Sequence, residues 1–313
     1  MNDSSQDILK EEAKSIRTRI DGLTSSLDDK ERIRKTTCIY AGMLTETLLE
    51  YEEPDTVMEQ AFLRICELLK AEPQQASPQD IPVPAYAVDH DADLGRALAR
   101  SCGTKLPRGL DGAHEIAIAL IIADFPLWEK QGVTVPASLQ LLIESVILAL
   151  TLEMATQDFC EMIIDDFMGE GNSAAAAVTG LAAVAGDYFA QATKRFSLPP
   201  EAQTDVLNVM VRESLRHGTP GSKDWNALAP SNDAADDNIP GYISDIQPRL
   251  EEFFDLIGLD DPLGRAVAAA KAVGRMVAVI SVEDIGQIHP STAKSLAKTG
   301  MILGIRHREL KTA

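Results

Sequence analysis

The feature that most constrains the fold is a run of 34 residues, Pro136 to Gly169, with the pattern of one long and mostly apolar helix. Apolar side chains cover most faces of residues 139–152, which predicts a central position with other elements packed around it. A helix built largely of Ala and Gly follows over 173–197, and period-two alternation typical of strands is absent. The sequence therefore predicts an all-α fold: a multi-helix bundle with a long central helix over about 137–168.

Small side chains recur at three- and four-residue spacing along the second of these helices, at Ala176, Gly180, Ala183 and Gly186. Small residues allow a neighbouring backbone to approach closely. Close packing would explain why two glycines are tolerated in a helix, where each costs about 1 kcal/mol relative to Ala. We expect these four residues to pack against the long helix.

A proline-rich segment, residues 72–85, separates two groups of predicted helices. Its four prolines exclude a helix of any length, so we interpret it as a linker. The three helices predicted over 1–71 form an N-terminal association unit, and 86–313 form the main helical domain. Inside that domain, residues 218–241 are polar and rich in helix breakers, which is typical of a functional loop or of disorder.

The first predicted helix has a narrow apolar stripe. Leu9, Ile16 and Leu23 are seven residues apart, and Ile20 lies beside them on the same face. Such a stripe is typical of a seam with a partner helix, although packing against the chain's own body is equally compatible with it. These four residues are candidate contacts with a protein partner or with a second copy in a homo-oligomer.

The net charge of −19 disfavours nucleic acid and anionic membranes as partners, because an acidic surface repels phosphate. The exception is the basic C-terminal segment, whose candidate contacts are Lys294, Lys298, Arg306, Arg308 and Lys311. A nucleic-acid-associated factor that uses this segment is one functional alternative.

No secretory signal is visible, and the two most apolar stretches, 116–122 and 139–152, are each shorter than a membrane span. The cysteines Cys38, Cys66, Cys102 and Cys160 show no metal-binding or redox spacing, which predicts reduced thiols in the core. We therefore expect a cytoplasmic protein with no membrane span and no cofactor.

An acidic cluster ends the long helix, where Asp165 and Asp166 are followed by Glu170. Several carboxylates within one turn are the ligands that a hard divalent cation prefers. The pattern resembles the aspartate-rich motif of class I isoprenoid synthases, and this resemblance implies Mg²⁺-dependent diphosphate binding in an all-α fold. The sequence departs from that motif, since Gly169 replaces its third carboxylate and no second such motif is found. Asp165, Asp166 and Glu170 are candidate metal ligands.

Among the histidines, only His217 has a carboxylate one helical turn away on the same face, that of Glu213. A metal site needs at least one further ligand, and the spacing indicates none. We expect a structural pair near the end of a helix.

The residues favour a non-enzymatic helical protein that acts by protein–protein interaction, as an adaptor, regulator or assembly subunit. The alternatives are a Mg²⁺-dependent helical enzyme or small-ligand binder at Asp165, Asp166 and Glu170, and the nucleic-acid-associated factor described above.

Overall fold

The structure is a computed structural model that describes residues 3–51, 53–73, 84–106, 108–219, 225–229, 238–282 and 288–312. Within these ranges 85% of the residues are helical, in eleven α-helices and no strand. The predicted all-α multi-helix fold is confirmed.

The α-helices, in chain order, are α1 (Asp3–Thr24), α2 (Asp29–Leu48), α3 (Pro54–Leu69), α4 (Ala85–Gly103), α5 (Gly109–Trp128), α6 (Val135–Met162), α7 (Ala174–Phe196), α8 (Glu201–Arg216), α9 (Ile239–Leu256), α10 (Pro262–Val282) and α11 (Pro290–Thr312). Helix α6 continues as a π-helical turn over Ile163–Met168, and short 3-10 helices cover Glu129–Gln131 and Trp225–Ala227.

The chain divides into two compact units that differ from the predicted domains. Unit 1 contains residues 1–83 and 87–150, and unit 2 contains residues 84–86 and 151–313. The division lies inside α6 rather than at the proline-rich segment, of which residues 74–83 are outside the described ranges. The physical reason is that α1, α2 and α3 all pack against α5, so residues 1–71 share a core with a helix beyond that segment.

Unit 1 has an apolar core to which all six helices from α1 to α6 contribute. A polar contact ties three of its helices together, because the Tyr40 hydroxyl and the Arg17 guanidinium both donate to the carboxylate of Asp124. Asp124 is only 7% exposed, and its distance to Arg17 Nη2 is 2.5 Å. Burial and the adjacent Asp124 raise the pKa of Tyr40 well above its usual value, so this hydroxyl remains a donor.

Unit 2 is built around α7, which contacts α9, α10 and α11. Its first residue follows a capping serine, since Ser173 Oγ accepts a hydrogen bond from the amide of Ala176 at 3.1 Å. Next to α7, the ring of Phe254 in α9 packs edge-on against Phe159 and Tyr188.

The closest contact in unit 2 joins α7 and α11 through glycines. A Cβ atom added at Gly304 would lie 1.9 Å from the carbonyl oxygen of Ala183, and one added at Gly186 would lie 2.1 Å from that of Met301. Gly300 faces Thr179 in the same way. Residue 179 of α7 thus contacts residue 300 of α11, and residue 183 contacts residue 304. Because the residue numbers increase together along the contact, the two helices run in the same direction.

The close packing predicted for α7 is therefore present, but the predicted neighbour is wrong for the residues that can be placed. Gly186 and Ala183 face α11, and Gly180 faces Ile246 and Tyr242 of α9 rather than the long helix. The reason is that α11 offers its own small residues, Gly300 and Gly304, four positions apart.

One helix of the described residues, Val135–Met168, is long and apolar enough to cross a membrane by length and composition. The apolar stretch 139–152 alone is too short for a membrane span, whereas the continuous helix has 34 residues. Half of its most apolar window is buried inside the protein, and a single helix of this kind is weak evidence for a membrane span.

We predict that Gly304→Ala lowers the free energy of unfolding by about 2 kcal/mol, because the new methyl group collides with a backbone atom that cannot rotate away. Chemical denaturation followed by circular dichroism measures this change.

The matched control is Gly22→Ala in α1, where an added Cβ meets nothing within 4 Å. It is expected to raise the stability by up to about 1 kcal/mol, since alanine favours helices. Equal effects of the two substitutions would show that α7 and α11 are not in backbone contact.

Candidate functional site

A cleft in unit 2 has a volume of about 760 Å³. It lies where the C-terminal ends of α7 and α11 meet the start of α8 and of α10. The parallel packing of α7 on α11 produces this arrangement, because it brings the same ends of both helices together. Ligand sites in proteins commonly have volumes of about 300–1,000 Å³, so the cleft has the size of a binding site.

Three cationic side chains line this cleft. Lys194 and Arg195 belong to the last turn of α7, and Arg308 comes from α11. No carboxylate of the described residues lies within ion-pair distance of Lys194 or Arg195. Arg308 Nη1 is 3.7 Å from Asp187 Oδ2, and Asp187 is buried. Glu309 is the one carboxylate among the described lining residues, so the cleft is cationic in a strongly acidic chain.

The rest of the lining combines apolar surface with neutral hydrogen-bonding groups. The apolar part consists of Phe189, Leu198, Ile305 and the prolines 199, 200 and 262. Gln191, Thr193 and Gln203 supply the neutral polar groups. The described lining contains neither histidine nor cysteine, the usual groups for proton transfer and nucleophilic attack near pH 7. This arrangement is suited to holding a ligand that has an anionic part and an apolar part.

The residues of this cleft were not predicted from the sequence. Lys194 and Arg195 are visible in the sequence as the basic end of a predicted helix, where they complement the helix dipole. Their meeting with Arg308 depends on the packing of α7 against α11, and no spacing along the chain indicates it.

The predicted metal ligands Asp165, Asp166 and Glu170 are exposed at the end of the π-helical turn. Arg249 of α9 is placed between two of them, with Nη2 at 2.8 Å from Glu170 and Nη1 at 3.6 Å from Asp166. These carboxylates raise the pKa of Arg249 above its usual value, so the guanidinium stays charged. No group of three or more metal-ligating side chains is found in the described part of the chain. Metal binding at these residues stays a prediction.

We expect Mg²⁺ to leave the melting temperature of the protein unchanged, because Arg249 already supplies a positive charge to this cluster. Thermal melts with and without Mg²⁺, on the parent and on the double variant Asp165→Asn/Asp166→Asn, measure this. A Mg²⁺-dependent rise in the parent that disappears in the double variant would instead support the metal site, since binding to the folded state stabilises it.

The four candidate partner contacts of α1 have different environments. Ile16 and Ile20 are 2% and 3% exposed and belong to the core of unit 1, and Leu9 packs partly buried against that core. Only Leu23, at 40% exposed, presents much of its surface. The stripe therefore stabilises its own unit, and association through α1 stays a prediction that depends on Leu23.

The basic C-terminal residues do not form one exposed surface. Lys294 is 1% exposed, and burial lowers its pKa. Lys298 donates to the carbonyl oxygen of Leu228 at 2.8 Å, in the short described part of the predicted polar loop 218–241. Residues 220–224 and 230–237 of that loop lie outside the described ranges. Since Arg308 lies in the cleft of unit 2, Arg306 and Lys311 are what remains of the predicted nucleic-acid contacts.

A network of buried charges in unit 2 includes the His217–Glu213 pair expected from the sequence. Lys271 Nζ is 2.7 Å from Glu153 Oε1 and 3.3 Å from Glu213 Oε2; Lys271 and Glu213 are buried, and Glu153 is nearly so. Arg216 Nη1 approaches Glu153 at 2.6 Å, and His217 Nε2 lies 2.9 Å from Glu213 Oε1. The sequence showed only the spacing within α8, because Lys271 and Glu153 come from two distant helices.

The pKa of Glu213 lies below its usual value. Burial raises it, but the charges of Lys271 and Arg216 and the hydrogen bond with His217 lower it by more. When folding lowers the pKa of a carboxyl group, the group stabilises the folded state at pH values above its pKa in the unfolded chain. This stabilisation is lost as the pH falls to the lower pKa that the group has in the folded protein.

We predict that Glu213→Gln costs about 3 kcal/mol at neutral pH, because it leaves the buried Lys271 with a single carboxylate partner. The difference from the parent is expected to shrink as the pH falls below about 4, the range in which a glutamate becomes neutral. Denaturation measured across this pH range is the test.

The control for this prediction is Glu170→Gln at a largely exposed carboxylate, with an expected change within about 0.5 kcal/mol. A pH-independent loss in Glu213→Gln would mean that packing, and not charge, accounts for the effect.

The cysteines are free thiols, and Cys38, Cys102 and Cys160 are buried as expected. Burial raises the pKa of Cys38 and of Cys102 to about 11, so both are protonated at neutral pH and are poor nucleophiles.

No family model, curated protein or solved structure matches this chain.

Proposed function

We propose that this chain is a non-enzymatic binding protein that acts by holding a partner protein, and that the cationic cleft of unit 2 receives the partner. The cleft itself carries the proposal. It is large enough to hold several groups of a partner, and it presents Lys194 and Arg195 without an ion-pair partner among the described residues.

The composition of the cleft supports binding rather than a reaction. Its described cations lie beside an apolar surface, and such a pairing gives both orientation and affinity to a bound group. Arg308 is held by the buried Asp187, so one cation of the cleft is already positioned before a partner arrives.

The two alternatives from the sequence have less support. An enzyme or ligand binder at Asp165, Asp166 and Glu170 would have to displace Arg249 from two of these carboxylates. A nucleic-acid-associated factor would have to act with Lys294 buried and Lys298 bonded to a backbone carbonyl. Both remain proposals of lower rank, and a salt-dependent affinity for nucleic acid would favour the second of them.

We predict that reversing the charge of the cleft removes partner binding. The immobilised parent protein and the variant Lys194→Glu/Arg195→Glu are exposed to the same extract, and the retained proteins are compared by mass spectrometry. The expected result is at least one protein that the parent retains and the variant does not.

The control is Lys30→Glu/Lys130→Glu, which makes the same change of charge at exposed positions of unit 1. The control is expected to retain what the parent retains. If the parent and the cleft variant hold the same set of proteins, the cleft is not the partner site.

A further inference from the structure

We propose that the occupant of the cleft is a short acidic segment of the partner protein that also carries an apolar side chain. This inference rests on the proposed function and adds the chemistry of the partner to it.

The demand for negative charge comes from Lys194 and Arg195. They are consecutive in the last turn of α7, both are exposed, and no described carboxylate pairs with them. Because they project from adjacent positions of one helix, their side chains leave in different directions. Two separate carboxylates of a peptide segment can each form an ion pair with one of these two cations, whereas one compact anion cannot easily reach both.

Arg308 adds a third cation with a fixed position. Its partner Asp187 is 1% exposed and also accepts a hydrogen bond from Gln191 Nε2 at 2.8 Å. Asp187 is thus held on the α7 side of the cleft, while the Arg308 side chain is 36% exposed. The guanidinium has five donor groups, so it can keep this contact and still donate to an incoming carboxylate.

The apolar part of the cleft selects for a side chain of the same kind. Phe189 is 6% exposed, and it lines the cleft together with the half-buried Leu198 and Ile305. These residues offer a surface on which an aliphatic or aromatic side chain is removed from water. A purely ionic ligand such as inorganic phosphate would leave this surface uncovered.

The net charge of −19 does not prevent an acidic segment from binding. At physiological ionic strength the screening length is about 8 Å, so more distant carboxylates contribute little at the cleft. The three cations line the site itself, within reach of a bound group.

Fluorescence anisotropy with labelled synthetic peptides tests this inference. The first probe is a short peptide of alternating Glu and Leu. In the second, Gln replaces every Glu, and in the third, Ser replaces every Leu. Unlabelled decanoate and inorganic phosphate are added as competitors to distinguish a peptide site from a site for small anions.

The expected result is that the Glu/Leu peptide binds and that added salt weakens its binding. Lys194→Ala/Arg195→Ala should weaken it by about fivefold, which is what the loss of two exposed ion pairs produces. Both substituted peptides should bind more weakly than the first, and the control Lys30→Ala/Lys130→Ala should bind it like the parent. Circular dichroism confirms that the variants are folded.

Two results would overturn the inference: the Gln and Glu peptides bind equally, or the cleft variant binds the Glu/Leu peptide as well as the parent does. The proposed function would still stand in either case, provided that the parent retains a protein from the extract that the cleft variant does not retain. Displacement of the peptide by decanoate at equal concentration, with no detectable preference for the peptide, would instead assign the cleft to small organic acids. Failure of the extract experiment itself would overturn the proposed function.

Discussion

The backbone contact between α7 and α11 is the constraint on which unit 2 depends. Gly186 and Gly304 remove the side chains that would separate the two helices, and each lies opposite a carbonyl oxygen of the other helix. At such a distance the direction and register of both helices are fixed, because a one-residue shift would bring a side chain against the backbone. The cleft follows from this register, since Arg308 reaches the end of α7 only when Gly304 faces Ala183.

Both units contain buried charged side chains, and their arrangement differs between the two units. In unit 1, the carboxylate of Asp124 lies between two donors, and the buried Asp91 lies near Arg34 and Lys35. Unit 2 holds a larger network, in which Lys271 contacts two carboxylates from separate helices. Buried ions of this kind cost much desolvation free energy and contribute little net stability, but removal of one partner is costly. They therefore favour one arrangement of helices over others, and specificity of packing is their main effect.

The sequence predicted what depends on local periodicity. It predicted the all-α class and the long helix correctly, because apolar spacing acts within a few positions. It could not predict which helices meet. The glycines of α7 indicated a close neighbour but not that α11 was the neighbour, and the stripe of Ile16 and Ile20 was equally compatible with a partner and with the unit's own core. The cleft was missed for the same reason, since Arg308 is more than a hundred residues away from Lys194 and Arg195 in the chain.

The parallel direction of α7 and α11 has a further consequence for the cleft. Two parallel helices place the negative ends of their dipoles side by side, which is unfavourable, and each cation near those ends offsets about 0.3–1 kcal/mol of this repulsion. Lys194 and Arg195 therefore serve the fold before any partner is present. The acidic segment proposed above would compete with the helix ends for these charges, which would keep its affinity moderate and its binding readily reversible.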